Sequence, residues 1–224
     1  MDLMIPVVKG WLTESCIDLT STGVQVHGGM GFMEETGAAQ YVRDARILTI
    51  YEGTNGVQAN DLLMRKLQMS GGEAVWDLLT ELKDTVSKVE ASNDPAFGTT
   101  GAKLREAVDS VERSSKWLLE KIATSPAEAL AGATPYLRLF STTLGGCSLA
   151  KEALAARTDE THQNDVQRYV TLARFFALSY LAKRFGQTMH DWYVAGRHRA
   201  VLPQLLRPLS RRAEDRKSTR LNSS

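Results

Sequence analysis

The chain has 224 residues, 43% of them hydrophobic, with 27 Lys+Arg against 26 Asp+Glu for a formal charge of +1. That size and apolar share suit a globular chain with a buried core rather than a disordered one, and the balanced charge lacks the basic excess of a nucleic-acid module. No apolar run reaches the ~18 residues of a membrane helix, and Cys16 and Cys147 are too few for a disulfide framework or a cysteine-based zinc site, so the cytoplasm is the expected compartment.

In chain order, Leu3, Val7 or Val8, Leu12, Ile17, Leu19 and Val24 roughly follow one helical face. Asp2 is the sole cap candidate in front of them, so the chain is expected to enter this helix partway along. The helix runs into Gln25-Val26-His27-Gly28-Gly29-Met30-Gly31-Phe32. Paired glycines turn the backbone sharply and expose N–H groups that suit pyrophosphate or ribose, but on its own the same pattern is more often a plain helix breaker. No Gly-Lys-Ser/Thr follows and no strand precedes, which excludes a P-loop and a Rossmann turn.

Next comes Ile50-Tyr51-Glu52-Gly53-Thr54-Asn55-Gly56-Val57-Gln58. Glu52 stands between an aromatic residue and a glycine, just before a predicted helix. Glu52 or Thr54 caps that helix, with Arg43, Asp44 and Arg46 forming ion pairs nearby. Alternatively, Glu52 is a general base, and the neighbouring glycine lets a substrate approach the backbone.

Ten of the 17 glycines fall between Gly10 and Gly72. Beyond them the composition shifts, which predicts a boundary at Gly71-Gly72 between residues 1–70 and 73–214. Val75, Leu78, Leu79, Leu82, Val86 and Val89 keep helical spacing until Asn93-Asp94-Pro95. Leu104, Val108, Val111, Leu118 and Ile122 repeat the pattern, and Ser125-Pro126 starts a further helix through Leu130, Leu137, Phe140 and Leu144, with a bend expected at Pro135 or Gly145-Gly146. Val166, Tyr169, Val170, Ala173, Phe176, Ala177, Tyr180 and Leu181 form the last predicted helix, extending as far as Trp192. The expected fold class is all-α: a helical remnant followed by a second, antiparallel helical bundle. His162, His190 and His198 show no metal-ligand spacing, and no metal is expected.

Residues 215–224 (DRKSTRLNSS) are polar and aperiodic. By composition they are an ordinary polar tail; as a string they match one reading frame of a common short-read sequencing adapter, and they are expected to be foreign. Arg216, Lys217 and Arg220 against Asp215 contribute +2, so the chain without them carries +1 − 2 = −1.

QVHGGMGF, followed by ETGAAQYVRDARILTIYEGTNGVQANDLLMRKL, resembles the C-terminal helical domain of acyl-CoA dehydrogenases over about residues 2 to 67. The stretch past Gly72 is similar in architecture to the extra helical domain of the family's longer members. The resemblance implies FAD-dependent α,β-dehydrogenation of an acyl-CoA thioester in fatty-acid β-oxidation, with Glu52 as the base for the α-proton and its backbone N–H as one donor to the thioester carbonyl. It implies substrate contacts at Tyr51 and Gly53, and FAD contacts at Thr54, Asn55 and Gly56. Gln25, Val26, His27, Gly28 and Gly29 match a loop that reaches the FAD of a neighbouring subunit, so a homodimer or homotetramer is implied. Within that loop His27 is expected to pack rather than catalyse. Electron-transferring flavoprotein is the implied acceptor. Asn55-Gly56 departs from members with a bulkier polar pair, and the family's N-terminal and β domains have no counterpart in the chain. The alternatives are an acyl-CoA oxidase with oxygen as acceptor, separable by oxygen consumption, and a non-catalytic helical oligomerisation module, which would need no carboxylate at Glu52.

Overall fold

The computed structural model describes residues 2–158 and 165–181, and among these every regular element is helical. Trp192, His162, His190, His198 and residues 215–224 lie outside the described residues.

The N-terminal helix begins as α1 (Met4–Val7), widens into a π-helical turn over Val8–Leu12 and continues as α2 (Thr13–Val26). A four-residue turn of helix, α3 (Gly29–Phe32), and a 3-10 turn (Glu34–Thr36) reverse the chain into α4 (Ala38–Leu48), which packs on α2. Gly31 makes that reversal possible: a Cβ there would lie 2.3 Å from the Val24 carbonyl oxygen. After a turn come α5 (Asn55–Asp61) and a second π turn, Leu62–Lys66.

Past Gly71 and Gly72, both at positive φ, α6 (Glu73–Ala91) buries Val75, Leu79, Leu82, Val86 and Val89 along one face. Glu73 in its first turn and Lys88 in its last complement the helix dipole. The helix stops where the sequence says it should. Asn93 turns left-handed at φ 48, and Asp94 accepts from the Ala96 N–H at 2.8 Å to open a 3-10 turn over Pro95–Phe97. α7 (Thr100–Thr124) buries Leu104, Val108, Val111 and Leu118, and Pro126 opens the short α8 (Pro126–Ala131).

α9 (Ala133–Thr158) corrects one expectation. It runs continuously through Pro135 and through Gly145-Gly146, and the chain breaks instead at Gly132, ahead of it. Pro135 sits in the first turn, where its missing N–H costs nothing. The glycine pair is a docking notch rather than a hinge: a Cβ on Gly145 would sit 2.7 Å from the Trp11 ring, and one on Gly146 2.9 Å from Leu104. α10 (Val166–Phe175) and a π turn (Phe176–Leu181) complete the described bundle against α9 and α7.

Among the described residues, a hydrophobic cluster runs from Leu3 to Leu181. Leu3, Val7, Ala59, Leu62, Leu63 and Leu67 from the first third join Leu79, Leu104, Leu118, Leu137 and Phe140 from the bundle, so the glycine break in the chain is not a break in the core. Each fully buried leucine contributes about 1.5–3 kcal/mol. Gly10 lets the two parts meet, because a Cβ there would come within 2.6 Å of Leu137. By contrast, α2 buries none of its residues. Ile5, Leu12, Leu19 and Val26, seven residues apart, form an apolar stripe at least half exposed along its length.

Candidate functional site

α4 ends at Leu48, and the Ile50 and Tyr51 N–H groups both donate to the Ile47 carbonyl as the chain turns away. Glu52 then adopts φ 54 and Gly53 φ 84. Glycine accepts that region freely, whereas a Cβ-bearing residue there costs roughly 1–2 kcal/mol. Strain of this kind persists only where surrounding contacts over-determine it.

Those contacts can be named. Asn55 N–H donates to the Thr49 carbonyl at 3.1 Å, closing the turn, and Gln58 Nε2 donates to the Glu52 carbonyl at 3.1 Å. Thr54, not Glu52, caps α5, its hydroxyl accepting from the Val57 N–H at 3.3 Å. From across the fold, Lys9 Nζ donates to the Gly53 carbonyl at 2.7 Å and to Asn55 Oδ1 at 3.0 Å. Asn55 Nδ2 donates to the Gly10 carbonyl at 3.1 Å and to Glu14 Oε2 at 2.9 Å, and Thr13 Oγ1 is 3.1 Å from Asn55 Oδ1. The side chain of Asn55 is therefore spent on the helix behind it.

The Glu52 side chain is exposed, and among the described residues its carboxylate and its N–H have no hydrogen-bond partner. A carboxylate and an N–H of one residue are thus both unpartnered on one exposed turn, beside the half-exposed Tyr51 ring. That pairing can accept a proton and donate to a carbonyl oxygen.

The glycine loop lies elsewhere. His27 Nδ1 sits 3.0 Å from the Gly23 carbonyl, which makes that nitrogen the protonated one and ties the ring to the end of α2. Gln25 and Val26 close the helix, Val26 largely exposed, while Gly28 turns at φ 61. A Cβ at Gly28 or Gly29 would meet nothing within 4 Å, so the backbone there is open to a ligand. Because α2 spans 14 residues, the loop and the Glu52 turn stand ~20 Å apart, at opposite ends of one helix. One copy of the chain does not bring them together.

Whether these residues fit a flavin nucleotide can be judged from the same geometry. Gly28, Gly29 and Gly56 leave open backbone where polar parts of such a ligand could lie. The clefts beside them are small: about 210 Å³ between Thr20, Gly23, His27 and Tyr41, and about 210 Å³ between Trp11, Glu14, Asn55, Gly56 and Arg138. The residues fit the edges of a flavin nucleotide, whereas flavin-sized ligands are normally enclosed over most of their surface. Among the described residues no cluster of His, Cys, Asp or Glu could hold a metal, and no helix is long and apolar enough to cross a membrane.

Sequence reasoning singled out Glu52, Gly53 and Thr54 but missed Lys9, Gly10, Thr13 and Glu14. No local signal marks them, since their partners lie 41 to 46 residues away.

Comparison with known proteins adds a second line. Residues 2–67 match the model of the acyl-CoA dehydrogenase C-terminal domain, and residues 78–189 match the acetyl-CoA dehydrogenase C-terminal-like model. Over 185 residues the chain is 37% identical to 3-methylmercaptopropionyl-CoA dehydrogenase of Ruegeria pomeroyi, covering 81% of this chain and 31% of that protein. It is 28% identical over 192 residues to a broad-specificity linear acyl-CoA dehydrogenase of Mycobacterium tuberculosis, covering 80% and 31%. A 52-residue stretch is 40% identical to a subunit of the caffeyl-CoA reductase–Etf complex of Acetobacterium woodii, covering 23% and 14%. The chain therefore spans about a third of the length of the first two curated relatives.

Proposed function

This chain belongs to the acyl-CoA dehydrogenase family, and from that premise we propose that it carries the catalytic-base segment of an enzyme that desaturates acyl-CoA thioesters between the α and β carbons. The observation that carries the reading is Glu52, held at positive φ with an unpartnered carboxylate and an unpartnered N–H on the same exposed turn.

In this reading the thioester carbonyl oxygen accepts from the Glu52 N–H, which polarises the carbonyl and acidifies the α-C–H. A Glu52 carboxylate oxygen takes the α-proton, the α-C–H bond breaks, and a carbon–carbon double bond forms as the β-hydrogen leaves with its electron pair. FAD, when bound, supplies the two-electron acceptor for that hydrogen. Gly53 keeps the thioester's approach clear, and Tyr51 lines the acyl side. Thr54, Asn55 and Gly56 offer FAD contacts through backbone, since the Asn55 side chain is already engaged.

The separation of the Gln25–Gly29 loop from Glu52 along α2 supports a homodimer or homotetramer in which each flavin is shared. Electron-transferring flavoprotein is the proposed acceptor, in keeping with the Etf complex named for one relative. We assign the protein to cytoplasmic fatty-acid β-oxidation. Residues 1–70 are the catalytic part, and the bundle from residue 73 braces it through α9.

The test is Glu52→Gln in a full-length enzyme bearing this sequence. Gln matches the shape but cannot take the proton, so the rate of flavin bleaching by an acyl-CoA should fall ~100-fold or more. Bound FAD should stay at the wild-type level. Bleaching at an unchanged rate removes Glu52 from the role.

A further inference from the structure

We propose that Lys9 is a positioning residue for the catalytic turn: its ammonium, clamped on the Gly53 carbonyl, holds Glu52 in the left-handed conformation that aims its carboxylate and N–H. The proposal rests on Glu52 being the base, as argued above.

The turn's own ties are local. Asn55 to Thr49 and Gln58 to Glu52 each bridge six residues. Lys9 differs in kind. It reaches the turn from 44 residues away, and its acceptor is the carbonyl of the second positive-φ residue. Were Gly53 to flip its peptide, that carbonyl would leave the ammonium, and a charge-assisted hydrogen bond would be lost.

Lys9 is itself aimed rather than free. The same ammonium donates to Asn55 Oδ1, and the Asn55 amide is pinned by Gly10 and Glu14 on the helix that carries Lys9. The loop of contacts closes: α1–α2 to the turn through Lys9, and the turn back to α1–α2 through Asn55. The π-helical turn at Val8–Leu12 sits where this clasp forms, and single π turns within α-helices are frequent at functional sites. Lys9 makes no contact with the carboxylate it serves; its effect passes through the Gly53 backbone.

Two measurements test it on different footings. In the chain as it stands, Lys9→Met should speed exchange of the bonded turn amides of Ile50, Tyr51 and Asn55 about tenfold, as the loss of one hydrogen bond from a charged donor allows. Helical circular dichroism should be unchanged. In a full-length enzyme bearing this sequence, Lys9→Met should lower kcat ~10- to 100-fold through misplacement of the base, with KM and bound FAD close to wild type. Lys9→Arg, whose fork can reach both oxygens, should restore most of the rate. Unchanged exchange, unchanged kcat, a loss confined to KM, or a collapse of helicity in Lys9→Met would each overturn the proposal. If Glu52→Gln keeps its activity while Lys9→Met loosens the turn, the assignment of the base fails and the clasp stands.

Discussion

The Tyr136 hydroxyl lies 2.8 Å from Ser115 Oγ inside the bundle, and Ser115 Oγ also lies 2.7 Å from the Val111 carbonyl. A serine has one proton, and the carbonyl can only accept it, so Tyr136 is the donor to Ser115. Burial pushes the Tyr136 phenol far above its ordinary range, which keeps it protonated and able to donate.

The direction of that bond orders two variants. Ser115→Ala strands a buried hydroxyl and should cost about 1–3 kcal/mol, whereas Tyr136→Phe leaves Ser115 bonded to Val111 and should cost about 0.5–1.5 kcal/mol. Urea unfolding of both measures the order. A larger loss for Tyr136→Phe would mean the proton runs the other way.

Glu52 offers a test of backbone strain separate from chemistry. Glu52→Gly and Glu52→Ala remove the same carboxylate, but alanine keeps the left-handed penalty. The glycine variant should be the more stable by about 1 kcal/mol. Equal melting temperatures would contradict the positive φ.

Gly31 and Gly29 make a matched pair. Gly31→Ala drives a methyl into the Val24 carbonyl and should destabilise by about 1–3 kcal/mol, while Gly29→Ala meets open space. Thermal unfolding of the two separates a packing glycine from an exposed one.

The cysteines should differ in reactivity. Cys147 is buried, and desolvation pushes its thiol up to about 12, whereas Cys16 is partly exposed. In the folded chain a thiol reagent at neutral pH should label Cys16 first, with Cys147 reacting only on unfolding. Mass spectrometry of the labelled peptides reads this directly.

Acid stability should depend on Glu112. Hydrogen bonds from Lys83 at 2.9 Å and Lys116 at 3.1 Å hold its carboxyl below the ordinary value of 4.5. A carboxyl lowered in the folded state contributes its stability in full above the ordinary value and loses it as pH falls through the lower one. The stability gap between wild type and Glu112→Gln should therefore hold above the ordinary value of 4.5 and shrink as pH falls below it. A gap that widens there would reverse the sign.

The bundle was legible because its information is local. Val75 to Val89 and Leu104 to Leu118 announce their buried faces by spacing, and Asn93-Asp94-Pro95 announces the stop. Gly145-Gly146 misled for a physical reason: a glycine pair reads as a weak point in one helix, yet here its small size answers Trp11 and Leu104 on others. The Glu52 turn could be found by its residue types. Its geometry could not, because the left-handed φ falls on the glutamate as well as the glycine, and the lysine over it belongs to a helix that ends before the turn begins.

α2 also behaves as a ruler with a fixed phase. The glycine loop rides on one end and the Lys9 clasp grips near the other, and α2 itself has no buried residue to absorb an error. Each residue of helix turns its end by roughly 100° and advances it ~1.5 Å. Inserting or deleting one residue within α2 would thus swing the loop to the side of the molecule while leaving both motifs intact in the sequence. Point substitutions along the exposed stretch should be forgiven far more readily than a change in its length.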